Sequence, residues 1–293
     1  MHILITDSGV GGLSVCAYAE RFVRTHGFRK PVRLTFANAA PENDYGYNAM
    51  PSREVKLQTF DRFLRRVTER FAPDLIYVAC NTLSVLLPDT PYFRKAVIPV
   101  KGIVETGAEL LLRELEADPR TVAMIFGTQT TIDAGAYPAL LEARGVEASR
   151  IVSQACPGLA DTISEDREGV RTRAEIVGWV GAAIGKMGRT DRPVGAYLAC
   201  THYGYRKDLF ADALADAGVK AIVVNPNERA VDDLFGKGSD DGGPGINRDV
   251  EVEFVTRYAI PAAAVDALTW FLSDISPRTV AAMQHFVHLP DLF

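Results

Sequence analysis

The sequence predicts an α/β protein built as two doubly wound parallel-sheet domains, and three observations carry that reading. Short apolar runs recur with helical patterns between them, the rhythm of βα units. The runs are apolar throughout rather than alternating, as strands covered on both faces require. Two of them, Leu75-Ile76-Tyr77-Val78-Ala79 and Val194-Gly195-Ala196-Tyr197-Leu198-Ala199, end in a cysteine followed by hydroxyl or amide residues, and so hint at a duplicated half.

In chain order, strands are expected near 2 to 6, 32 to 37, 74 to 79, 97 to 100, 121 to 126, 150 to 154, 194 to 199 and 220 to 224. Four lie before about residue 102 and four after it. Ser52 to Phe71 carries Val55, Phe60, Phe63, Leu64 and Val67 near helical spacing. Helical patterns also cover Glu105 to Leu115, Ile132 to Arg144, Thr172 to Met187 and Tyr205 to Ala217, with Gly145 and Gly218 as expected C′ glycines. Beyond that point the pattern is helical only, over Pro261 to Ser273 and Pro277 to Phe286, each with proline in the first turn and the second preceded by Ser276 as N-cap. The run from Gly236 to Gly245 is rich in glycine and acid, has little to bury, and is expected as a mobile surface loop.

Composition narrows the class. A chain of 293 residues, 47% hydrophobic and 24% charged, reads as a soluble globular protein long enough for two cores. A formal net charge of −5 gives no electrostatic reason to expect nucleic acid or an anionic membrane as partner. The sequence opens directly into a strand pattern without a signal peptide, and no apolar run has the length of a bilayer span, so a cytoplasmic location is expected. Cys16, Cys80, Cys156 and Cys200 are scattered with no C-x-x-C pair, which disfavours a disulfide framework and a structural zinc site.

Chemistry is expected at three places. Asp7-Ser8-Gly9-Val10-Gly11-Gly12-Leu13-Ser14 follows the first strand and opens a helix, where glycines permit a sharp turn and free N–H groups. It is a near miss for a dinucleotide fingerprint, because Ser14 stands at the third small position and Asn38 where a ribose-binding acid belongs. It also reads as a plain tight turn. Cys80 and Cys200 fall at strand carboxyl ends, where open α/β sheets bind ligands. A thiol there can serve as a thiolate near a helix N-terminus or a cation, and His202, two residues beyond Cys200, can relay its proton. Cys16 and Cys156 read as small buried hydrophobes. His285 and His288 read as a solvated pair on a helix end rather than a metal site.

Taken together, Asp7-Ser8-Gly9-Val10-Gly11-Gly12, Ala79-Cys80-Asn81-Thr82 and Ala199-Cys200-Thr201-His202-Tyr203 resemble the three signatures of the glutamate racemases, within the aspartate/glutamate racemase superfamily. Tyr45-Gly46 resembles that family's Pro-Tyr-Gly loop. Gly127-Thr128-Gln129-Thr130-Thr131 with Ala136-Tyr137 resembles its G-T-x-x-T…A-Y block.

The resemblance implies cofactor-independent and metal-free racemisation of an acidic amino acid, L-glutamate to D-glutamate for peptidoglycan synthesis. In that scheme one thiolate removes the α-proton while the other thiol protonates the opposite face. Cys80 would act on the D-enantiomer with Asp7 assisting, and Cys200 on the L-enantiomer with His202. Asn81, Thr82 and Thr201 would hold the α-carboxylate, Ser8 with the backbone of Tyr45 and Gly46 the side-chain carboxylate, and Thr131 would line the same cleft. The implied fold places that cleft between two pseudo-symmetric domains, 1 to 101 with 223 to 293, and 102 to 222. The implied partner is a small-molecule amino acid, with a homodimer admitted and no nucleic acid or membrane.

The chain departs from the family pattern at Asn38, at Asp44 before Tyr45, at Leu83, and in Cys156 to Glu165, where the acid expected to support His202 is displaced by one position or absent. Aspartate or another α-substituted acid is the alternative substrate, and a non-catalytic ligand-binding homologue the alternative of another class.

Overall fold

The computed structural model describes residues 1–43, 45–188, 190–236 and 247–293. Asp44 and the glycine-rich run after Gly236 lie outside the described residues. The chain divides into two units, Met1–Ile103 with Asn227–Phe293, and Val104–Pro226.

The first unit begins with β1 (His2–Asp7), α1 (Leu13–His26), β2 (Val32–Asn38), α2 (Arg53–Phe71), β3 (Leu75–Val78), α3 (Asn81–Ser84) and β4 (Val100–Gly102). The helix α4 (Ile103–Ala117) leads into the second unit, which continues with β5 (Val122–Gly127), α5 (Gln129–Asp133), α6 (Ala136–Glu142), β6 (Ile151–Ala155), α7 (Leu159–Glu165), α8 (Val170–Met187), β7 (Val194–Ala199), α9 (Lys207–Asp216) and β8 (Ala221–Val224). The chain then returns to the first unit with α10 (Ala230–Phe235), β9 (Val250–Thr256), α11 (Ala262–Leu272), α12 (Pro277–Gln284) and β10 (Val287–His288).

Both sheets are parallel throughout, in the orders β10-β9-β2-β1-β3-β4 and β6-β5-β7-β8. Within each unit the first four strands follow one order, second-first-third-fourth, so each sheet has its switch point between its first and third strands. Open sheets of this kind bind ligands outside the strand carboxyl ends at that switch point. Asp7 ends the first strand of one sheet and Cys80 follows its third; Gly127 and Cys200 hold the same places in the other.

The strands are built as their apolar runs require. Ile3, Leu4, Ile5, Ile76 and Val78 are fully buried, as are Ala196, Leu198 and Ala199. Phe60, Phe63, Leu64 and Val67 form the buried stripe by which α2 covers one face of the first sheet. Ser52 caps α2 by accepting from the Val55 N–H at 3.3 Å, and Ser276 caps α12 by accepting from Thr279 N–H at 3.1 Å. Pro277 is the first residue of α12, whereas Pro261 sits at the N-cap of α11.

Several elements differ from the sequence expectation. The C-terminal part is not helical only: β9 pairs with β2 and β10 with β9, widening the first sheet to six strands. β9 reads Val-Glu-Val-Glu-Phe-Val-Thr, an alternating half-exposed strand, with Glu251 and Glu253 facing Arg33 of β2 at 3.9 and 3.2 Å. β4 begins at Val100 rather than residue 97, because Val97 projects into solvent at 95% exposure. The helix expected over 132 to 144 is broken at Gly135, whose φ of 63° is left-handed. Thr201–Arg206 is a 3-10 turn, so the helix expected from Tyr205 starts at Lys207. His285 and His288 do not share a helix, since α12 stops at Gln284 and His288 lies in β10 with Nε2 2.9 Å from the Arg257 carbonyl.

Candidate active site

Each unit carries a cluster of candidate residues at its own switch point. In the first, the β1–α1 turn wraps the Asp7 carboxylate. Asp7 is buried, Oδ1 accepts from the Gly9 N–H at 3.1 Å, and the Ala39 N–H donates to its carbonyl at 2.8 Å. Gly12 is required by contact rather than by conformation: a Cβ there would lie 2.8 Å from Asp7 Oδ2 and 3.1 Å from Ala79 Cβ. The start of α1 therefore lies directly on the carboxylate.

Cys80 leaves β3 and caps α3, its Sγ accepting from the Leu83 N–H at 3.4 Å. The Ser8 Oγ is 3.1 Å from the same sulfur. Ser84 pins the turn, donating to the Val78 carbonyl at 3.0 Å and accepting from the Ile103 N–H at 3.2 Å. Burial, then the Asp7 charge, push the Cys80 thiol up to about 12 against the opposing pull of Ser8 and Leu83. Cys80 is therefore a protonated thiol at neutral pH, already supplied with donors for a thiolate.

Asn81 and Thr82 are buried in α3 beside it. Tyr45 is half-exposed in a bridge with Glu42, and Gly46 is extended with open space where a Cβ would stand. Asn38 is buried, with Nδ2 donating to the Tyr258 hydroxyl at 3.0 Å and Oδ1 accepting from the Ala40 N–H at 2.9 Å. Tyr258 escaped the sequence reading because it follows β9, the strand that reading lacked. Tyr47 was also missed. It is buried, one residue beyond Gly46, in the apolar cluster that also holds Cys80.

In the second unit Cys200 leaves β7 and opens the 3-10 turn, with the Tyr203 N–H donating to its carbonyl at 3.0 Å. The His202 Nδ1 lies 3.9 Å from Cys200 Sγ, and burial pushes the imidazole down to about 4, so it is neutral at physiological pH. Thr201 is buried beside the thiol. Across the switch point, Thr128 caps α5 by accepting from the Thr131 N–H at 3.3 Å, and the two hydroxyls are 3.0 Å apart.

Glu165 ends α7 in solvent, and no hydrogen bond joins it to His202 among the described residues. Asp161, one turn earlier on α7, has its carboxyl raised by desolvation and then by the Glu165 charge. Cys156 is inert, its thiol pushed up to about 12 by burial and its carbonyl accepting from the Tyr203 hydroxyl at 3.1 Å. Cys16 is likewise buried in α1 and pushed up to about 12.

The chain is 26% identical over 237 residues to a glutamate racemase of a Nitratiruptor species, covering 80% of this chain and 83% of that one. It is 30% identical over 234 residues to a glutamate racemase of Phenylobacterium zucineum, covering 73% and 78%. A glutamate racemase structure from Francisella tularensis subsp. tularensis, in complex with D-glutamate, superposes with a TM-score of 0.71 at 19% identity, covering 99% of this chain and 98% of that one. No family model matches the sequence.

These relatives make the chain an isomerase of the amino-acid racemase class. Within that class, the chain belongs to the glutamate racemase family.

Proposed function

We propose that this protein interconverts L- and D-glutamate without a cofactor, with Cys80 and Cys200 as the acid/base pair acting on one α-carbon. One observation carries the reading. Each cysteine follows the third strand of a sheet with the same strand order, and each is backed by a group able to hold or move its proton. Inversion at a carbon needs a base on one face and an acid on the other.

With its thiol protonated, Cys80 is primed to donate, which suits the L-to-D direction, while Cys200 removes the α-proton of the L-enantiomer beside a neutral His202. In the reverse direction Cys80 must ionise next to Asp7. The substrate's α-ammonium, brought to Asp7, offsets that repulsion and lowers the thiol pKa. Asn81, Thr82 and Thr201 are read as α-carboxylate ligands. Thr131, Ser8 and the Tyr45-Gly46 backbone are read as contacts for the rest of the substrate. The product would serve peptidoglycan synthesis.

The test is α-deuterium exchange and circular dichroism of L- and D-glutamate in D2O, with aspartate in parallel. Wild type is expected to racemise glutamate, and Cys80→Ser and Cys200→Ser each to lose about 10²- to 10⁴-fold in rate. Full activity in either variant would overturn the two-cysteine reading. Faster turnover of aspartate would reassign the substrate, and would point to Asn38, which stands where the family has an acid.

A further inference from the structure

The His202 side chain is held only by its own stretch of chain. Among the described residues its hydrogen-bonding contact is the 3.9 Å approach of Nδ1 to Cys200 Sγ, and its ring lies edge-on to Tyr205, centroids 6.5 Å apart. Its place is therefore set by the turn that carries it, Thr201–Arg206, and a 3-10 turn is a weak support by itself.

That turn is fastened on both sides of α7. In its middle, the Tyr203 hydroxyl donates to the Cys156 carbonyl, before α7, at 3.1 Å. At its end, Arg206, 7% exposed, lays its guanidinium on Gly169, the N-cap of α8. A Cβ on Gly169 would lie 2.6 Å from Arg206 Cζ and closer still to both Nη atoms, so the cation fills the space a side chain would take. The corner beneath it is rigid. Asp166 Oδ2 accepts from the Thr172 N–H and hydroxyl at 2.8 and 2.9 Å, and the Gly169 N–H donates to the Asp166 carbonyl at 3.0 Å. Asp208 holds the fork, 3.4 Å from Nε and 3.5 Å from Nη2, while Nη1 is buried with no hydrogen-bond partner among the described residues. Burying a cation with an orphan donor costs stability that an apolar side chain would not, so packing alone does not account for Arg206.

We infer that Arg206, seated on Gly169, is a positioning residue that holds the Cys200–His202 turn in register, supplying the support that Glu165 does not give. It acts through Cys200 and His202. This deepens the proposed racemase and rests on Cys200 being one of its acid/base groups.

The test uses the full chain with Arg206→Ala, Gly169→Ala and, as control, Gly188→Ala. Gly169 and Gly188 are both left-handed, with φ of 78° and 72°, but nothing lies within 4 Å of a Cβ at Gly188, so the control carries the backbone strain without the contact. Arg206→Ala and Gly169→Ala are each expected to lower kcat for glutamate about tenfold with KM nearly unchanged, and Gly188→Ala to leave kcat as in wild type. Adding Gly169→Ala to Arg206→Ala should cause no further loss, because both remove one contact. Alkylation of the native protein by iodoacetamide, followed peptide by peptide, should be several-fold faster at Cys200 in the first two variants and unchanged at Cys80 and Cys156. Unchanged Cys200 alkylation in Arg206→Ala, or equal losses in Gly169→Ala and Gly188→Ala, would overturn the inference. So would faster alkylation at all three cysteines, which marks general loosening, or faster Cys200 alkylation with wild-type kcat, which marks a purely structural arginine. Alkylation reads the turn without turnover, so inactivity of wild type on glutamate would remove the racemase reading alone.

Discussion

The two cysteine turns echo one another in sequence and occupy equivalent strands, yet they prepare their thiols differently. Cys80 caps a helix and lies against a serine hydroxyl and a backbone N–H, with a buried carboxylate beside it. Cys200 opens a 3-10 turn with no side-chain cap and has a neutral imidazole at 3.9 Å. The first half is tuned by fixed dipoles that stabilise a thiolate, the second by a group that can itself take a proton. The same strand-end placement therefore supports two modes of proton control, set in the first unit by Ser8, Asp7 and the Leu83 N–H and in the second by His202.

The sharpest way to break this contrast is to remove the second half's proton carrier. His202→Asn keeps a hydrogen-bonding side chain but cannot titrate, and kcat is expected to fall about 10²-fold in a racemisation assay. An unaffected kcat would reduce His202 to a loop residue. Ser8→Ala should cost less, about tenfold in kcat, because it removes one hydrogen bond to a charged group while Leu83 N–H remains. A larger loss in KM than in kcat would instead assign Ser8 to the substrate carboxylate.

Gly12→Ala probes the carboxylate under α1. The new Cβ meets Asp7 and the Ala79 methyl within about 3 Å, so denaturant unfolding should show about 1 to 3 kcal/mol lower stability.

The two sites also leave opposite marks on the pH dependence of stability. Unfolded histidine binds its proton near pH 6.5 and folded His202 near pH 4, so between these values the unfolded state holds more protons. Stability should fall as pH drops through that window, at up to about 1.4 kcal/mol per unit, and His202→Asn should flatten that part of the curve. Cys80 gives the opposite limb: its folded thiol, raised to about 12, holds a proton that the unfolded thiol releases near 9, so stability should fall as pH rises between those values.

Much of this was legible in the chain. The buried strands announced themselves by unbroken apolar runs, and Ser276 by its position before Pro277. β9 was not found, although its Val-Glu alternation is the signal for a half-exposed strand; it follows a glycine-rich run that looked like the end of ordered β structure. Of the candidate site, Cys80, Cys200 and His202 were legible from strand-end placement and spacing, while Asp7 and Ser8 entered through the resemblance of their motif. Tyr47 and Tyr258 were not legible, since an aromatic residue near an apolar stretch looks like core until its hydroxyl can be located.

The sequence by itself determined the alternation of strand and helix, the two strand-end cysteines and the glycine turn after β1, all of which follow from local periodicity and backbone freedom. Only the tertiary structure decided the shared strand order, the extra strands that widen the first sheet, and which donors reach each sulfur. Those depend on long-range pairing and on the direction of individual side-chain atoms, and no local pattern encodes a contact such as Ser8 Oγ to Cys80 Sγ across 72 residues of chain.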